Sequence, residues 1–162
     1  KKTTYRTLDM PIWEWAKNYL IRRSERNAVT YQDELNVHMK IRIKGNSIRF
    51  RLTQSEVKQL SETGSIGETT ELGENVFRYQ VKLMPEANQL QASYTDHTML
   101  LMVPETDGKN WFHNHTVGFE HEMELPNGKK LHLLLEKDFT CLENRAEDQS
   151  DNYPNPKLQH WP

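Results

Sequence analysis

The sequence predicts a mainly β (α+β) domain: an antiparallel curved sheet or small barrel with one short helix, preceded by an N-terminal amphipathic helix. Three observations carry this expectation. From Met39 onward apolar residues recur at every second position, turn residues punctuate the chain at short intervals, and one stretch alone in that region has both a helix start and a helix stop. At 162 residues, with 35% hydrophobic and 27% charged, the chain fits one modest domain plus appendages. No apolar run approaches the roughly 18 residues that span a bilayer. The lone Cys141 excludes a disulfide framework within the chain and any multi-Cys metal site. A net charge of −2 gives no global reason to expect nucleic acid or an anionic membrane as partner.

The elements follow in chain order. Asp9 is placed to cap a helix near Pro11, and Ile12, Trp13, Ala16, Tyr19 and Leu20 share one side of a 3.6-residue period. No secretory leader pattern opens the chain, so the expected location is cytoplasmic. Met39, Ile41 and Ile43 alternate with Lys40, Arg42 and Lys44; after Gly45-Asn46, Ile48, Phe50 and Leu52 alternate with Arg49 and Arg51. That is an antiparallel hairpin with one apolar and one basic face. Thr53 or Ser55 then caps a short helix carrying Val57 and Leu60 that ends near Gly64. Further strands are expected at 68–72, 76–83, 90–94 and 99–103, and a last hairpin at 116–125 and 130–137 turned by Asn127-Gly128. Spacings this short leave little room for helical crossovers, which argues for antiparallel pairing. The chain thus divides into residues 1–38, a helical extension or upstream read-through, 39–142, the antiparallel β domain, and 143–162, a polar, Pro-containing tail without period.

Several segments resemble, in order, a family of short bacterial proteins known only as a domain of unknown function. They are residues 39–53, from Met39-Lys40-Ile41-Arg42-Ile43 to Phe50-Arg51-Leu52-Thr53, continuing into Ser55-Glu56-Val57; Val117-Gly118-Phe119-Glu120; Leu135-Glu136-Lys137-Asp138-Phe139-Thr140-Cys141-Leu142; and Asp151-Asn152-Tyr153-Pro154-Asn155-Pro156. The resemblance covers roughly residues 39–156. It implies a bacterial cytoplasmic protein with Met39 as a natural start, and it brings no activity, cofactor or catalytic residue.

Charge layout carries the functional expectation. Residues 39–58 hold six basic side chains against Glu56 alone, whereas 59–128 hold three basic and eleven acidic ones. On paired strands Lys40, Arg42, Lys44, Arg49 and Arg51 share one face. Such a row is expected to be neutralised by acids such as Glu120, Glu122 and Glu124, or to bind phosphate or carboxylate groups. Arg78, Gln80 and Lys82 form a further polar row. His113 and His115, with Glu120 and Glu122, offer a divalent-metal alternative, although His121 shares the apolar parity of Phe119 and Met123. No base or electropositive neighbourhood activates Cys141, and no catalytic residue is assigned. Phe50 lies on the face opposite Arg49 and Arg51, which disfavours nucleic-acid stacking. The favoured function is a small non-enzymatic binding or accessory domain whose charged face takes an anionic ligand or protein partner. Its alternative is a metal-dependent phosphohydrolase with the charged rows lining a barrel lumen. No cofactor other than that divalent metal is expected.

Overall fold

A computed structural model describes residues 39–141 and 148–155; the expected N-terminal helix lies outside the described residues. The strands are β1 (Lys40–Ile43), β2 (Ser47–Leu52), β3 (Ser65–Leu72), β4 (Asn75–Met84), β5 (Gln91–Thr95), β6 (Thr98–Pro104), β7 (Gly118–Glu124) and β8 (Lys130–Lys137). Helix α1 (Gln54–Thr63) joins β2 to β3, and a short α2 (Glu105–Gly108) and a 3-10 turn at Trp111–His113 follow β6. Every strand expected from the period-two pattern is present, β3 beginning three residues earlier than expected.

Pairing departs from the expectation. The strands form two four-stranded sheets, ordered β1-β2-β8-β7 and β3-β4-β6-β5, and each is mixed: β2 pairs parallel with β8, and β4 parallel with β6. Outer pairs are antiparallel. Each sheet is therefore two hairpins laid side by side through their later strands, with the second sheet's hairpins inserted between those of the first. No helical crossover is needed, because β5 itself occupies the connection between β4 and β6. Among the described residues no sheet closes into a barrel, since β1 and β7 remain the edges of one sheet and β3 and β5 those of the other.

One core serves both sheets. Phe50, Leu52, Leu133 and Leu135 from the first sheet meet Val81, Leu83, Leu101 and Val103 from the second, with Val57 and Leu60 of α1 and Trp111 completing the cluster. The edges are stitched as well: the Met39 amide donates to the Glu68 carboxylate, and the Ala92 amide lies 3.3 Å from Met123 Sδ. In the first sheet the inward residues of β1, β2 and β8 are apolar up to Lys137, so the charged rows of Lys40, Arg42, Arg49, Arg51, Glu120, Glu122 and Glu124 face outward.

Helix α1 forms where its caps dictate. Glu56 Oε2 accepts from the Thr53 amide at 2.7 Å, the spacing of a capping box, and Gly64 at φ 80° ends the helix with its amide on the Leu60 carbonyl at 2.9 Å. Residues 148–155, expected within an irregular tail, instead form a strap. The Tyr153 amide donates to the Asp138 carbonyl at 2.7 Å, and the Thr140 amide donates to the Tyr153 carbonyl at 2.9 Å. The Asp151 carboxylate accepts from the Ser55 amide at 3.2 Å, placing a negative charge at the start of α1.

Candidate functional site

The outward face of the first sheet gathers the charged rows. Its hairpin turns where the Lys44 amide meets the Ser47 carbonyl at 3.0 Å, and the register sets Lys40 opposite Arg51 and Arg42 opposite Arg49. Across β2, Arg49 lies level with Leu134 and Arg51 with Glu136; across β8, Leu134 lies level with Glu120, His132 with Glu122 and Lys130 with Glu124. The face is thus bipolar. Cations occupy β1 and β2, glutamates occupy β7, and β8 lies between them.

Two acids absent from the sequence-derived site partly neutralise the cations. Glu136 Oε2 lies 3.3 Å from Arg51 Nε and 3.5 Å from Arg49 Nε. Asp138 Oδ2, 5% exposed, meets Lys40 Nζ at 3.0 Å. Both acids sit at the end of β8 and its continuation, in the run Glu136-Lys137-Asp138 that interrupts an apolar strand. That interruption was the available signal. Arg42 and Lys44 are exposed and have no ion-pair partner among the described residues. The expected neutralisation by β7 does not occur directly, because β8 separates its glutamates from the arginines. Arg78, Gln80 and Lys82 lie on the other sheet, on β4.

The metal alternative finds its residues dispersed. Glu120 and Glu122 stand on the outward face of β7, where Glu122 Oε1 lies 2.6 Å from His132 Nδ1. His113 ends the 3-10 turn and His115 follows it in the exposed loop before β7. Among the described residues no group of three or more His, Cys, Asp or Glu side chains is placed to hold a metal ion. The lumen on which the phosphohydrolase reading depended does not form, because the charged parity faces away from the core.

Sequence reasoning also missed a buried cluster where β8 meets the strap. Lys137 follows Leu133 and Leu135 in inward parity, donates from Nζ to the Asn114 carbonyl at 2.7 Å, and lies 4.9 Å from the Tyr153 ring centre and 5.9 Å from that of Trp111. Loss of water around Lys137 lowers its pKa from 10.5. Burial, reinforced by Asp151, pushes the Tyr153 phenol up to about 12. Cys141, half-buried, donates its amide to Gln149 Oε1 at 2.7 Å.

Residues 39–157 match a family of unknown function (DUF7009), and the chain belongs to that family. No curated protein and no solved structure matches the chain. Among the described residues no helix is long and apolar enough to cross a membrane.

Proposed function

We propose that this member of a family without an assigned activity is a non-enzymatic binding domain that takes an anionic partner on the outward face of its first sheet. Arg42, Lys44 and Arg49 would make the principal contacts, flanked by Lys40 and Arg51. The observation that carries this reading is the uncompensated cationic edge. Arg42 stands directly opposite Arg49, a like-charge pairing that costs stability, and among the described residues acids reach Lys40, Arg49 and Arg51 but neither Arg42 nor Lys44. A carboxylate- or phosphate-bearing partner relieves that repulsion and gains charge-assisted hydrogen bonds.

The test is the thermal unfolding midpoint of the full chain against pyrophosphate and a poly-glutamate peptide at low and moderate salt. A probe at about 100 times its Kd adds about 2.7 kcal/mol, a rise of several degrees. The rise should shrink with salt and vanish in Arg42→Ala/Lys44→Ala while the variant stays folded. No rise with either probe, or a rise unchanged in the double variant, would rule the face out as the site.

A further inference from the structure

The bipolar face has a property that neither of its halves has alone. Arg42 lies on a row that continues through Arg49 and Leu134 to Glu120, and Lys44 lies beside Ser47, whose row continues through His132 to Glu122. On the row of Lys40 and Arg51 the β7 position is Gly118, with no acid. Lys40 and Arg51 are the cations already paired within the chain, to Asp138 and Glu136. So Arg42 and Lys44, which have no acid partner among the described residues, lie on the rows where β7 carries one, three strands away.

A two-fold axis running along the strands between β2 and β8 would bring those halves together. Such an axis exchanges the two edges of the sheet and keeps each row at its own height. It would set Arg42 of one copy against Glu120 of another and Lys44 against Glu122, each contact occurring twice, as an isologous interface requires. An axis across the strands would oppose cation to cation. We infer that the anionic partner of this face is a second copy of the same chain, docked face to face about the strand-parallel axis. This rests on the preceding reading that the face takes an anionic partner, and it names that partner.

The size of the face sets the kind of association. Four strands at roughly 4.8 Å spacing and about seven residues at roughly 3.4 Å rise give a footprint of about 450 Å² per copy. That falls below the area of a typical stable interface, so the dimer is weak, exchanges rapidly and depends on salt. Leu134, half-buried at the centre of the face, supplies its apolar middle.

Sedimentation velocity of the full chain over a concentration series tests this. At low salt the weight-average sedimentation coefficient should rise with concentration, and moderate salt should abolish the rise. Arg42→Glu and Glu120→Arg should each remain monomeric at low salt. Mixing the two variants, or combining both changes in one chain, should restore association. Within one chain these residues lie about 14 Å apart, three strand spacings, so recovery cannot come from an internal pair. A wild-type chain monomeric at every concentration in low salt, or a double variant no better than the singles, overturns the inference. Pyrophosphate or poly-glutamate binding lost in Arg42→Ala/Lys44→Ala would then still uphold the anion-binding face, whereas its absence as well would remove both.

Discussion

Individual side chains at the end of β8 hold conflicting demands in a small volume. Lys137 is cationic yet buried between rings, and the Tyr153 hydroxyl above it is buried with no hydrogen-bond partner among the described residues. An unsatisfied buried hydroxyl costs stability, whereas a phenyl ring in its place costs nothing in hydrogen bonding. Tyr153→Phe is therefore expected to raise unfolding stability by about 1 kcal/mol at neutral pH. The same variant reports on alkaline pH. Burial raises Tyr153 from 10.0 to about 12, and burial together with the Glu68 carboxylate raises Tyr79 equally. Between those values the unfolded chain loses phenolic protons that the fold retains, so the stabilising term is complete below pH 10 and lost as pH climbs towards 12. Lys137 acts in the opposite sense below 10.5, since the fold gives up its proton sooner than the unfolded chain does. Urea midpoints measured from neutral pH to pH 12 should fall less steeply for Tyr153→Phe than for the wild type. Equal slopes would show that Tyr153 ionises as freely in the fold as outside it. None of this cluster was visible in the sequence, because Lys137 looks like an ordinary charged strand end until the strap from residues 148–155 folds over it.

Among the elements, the hairpins were legible and their neighbours were not. A turn is local: Gly45-Asn46 and Asn127-Gly128 announce themselves, and alternation fixes which face each strand buries. Parallel pairing of β2 with β8 joins segments some eighty residues apart, and no local pattern encodes such a partner. A weaker signal did exist. Met99 to Val103 in β6 is an unbroken apolar run, buried throughout, and Leu133-Leu134-Leu135 in β8 is nearly so, which is the pattern of strands covered on both faces, as parallel-paired interior strands commonly are. Short spacing argues against a helical crossover but not against parallel pairing, because a strand can itself serve as the crossover. The hairpin that makes this possible turns at Asp96 and His97, both in the left-handed region, at φ 49° and 59°. His97 is held there because its carbonyl accepts the Arg78 amide of β4 at 2.9 Å. A side chain in that region costs roughly 1–2 kcal/mol, against roughly 0.4–1 kcal/mol for the extra freedom of an unfolded glycine. His97→Gly, which creates the favoured Asp-Gly turn and keeps the backbone bond, should stabilise the fold by about 0.5–1 kcal/mol in urea unfolding. A destabilised variant would mean that the imidazole itself holds the turn.

For the molecule as a whole, nesting has a mechanical consequence. The first sheet cannot be completed until β8 arrives at the end of the domain, and the whole of the second sheet lies in the chain between its two hairpins. Both sheets then bury their inner faces in one cluster, from Phe50 and Leu135 on one side to Val81 and Leu101 on the other. The bipolar outer face depends on the same step, because β8 alone links the cations of β2 to the glutamates of β7. Its charged parity was legible along each strand, but which acid stands on which row required the register. Leu101 is fully buried in β6, remote from the charged face by parity and by sheet. Leu101→Ala should cost about 2–5 kcal/mol, the range for emptying a core leucine site. If the core is shared, the urea transition keeps its slope and moves to lower concentration, and hydrogen exchange accelerates in β2 and β8 as much as in β4 and β6. Faster exchange confined to β4 and β6 would show that the first sheet stands without the second. The charged face would then be carried by an independently stable sheet. The alternative, a common core, ties the geometry of Arg42 and Glu120 to packing on the far side of the domain, so that a core substitution weakens self-association without touching either residue.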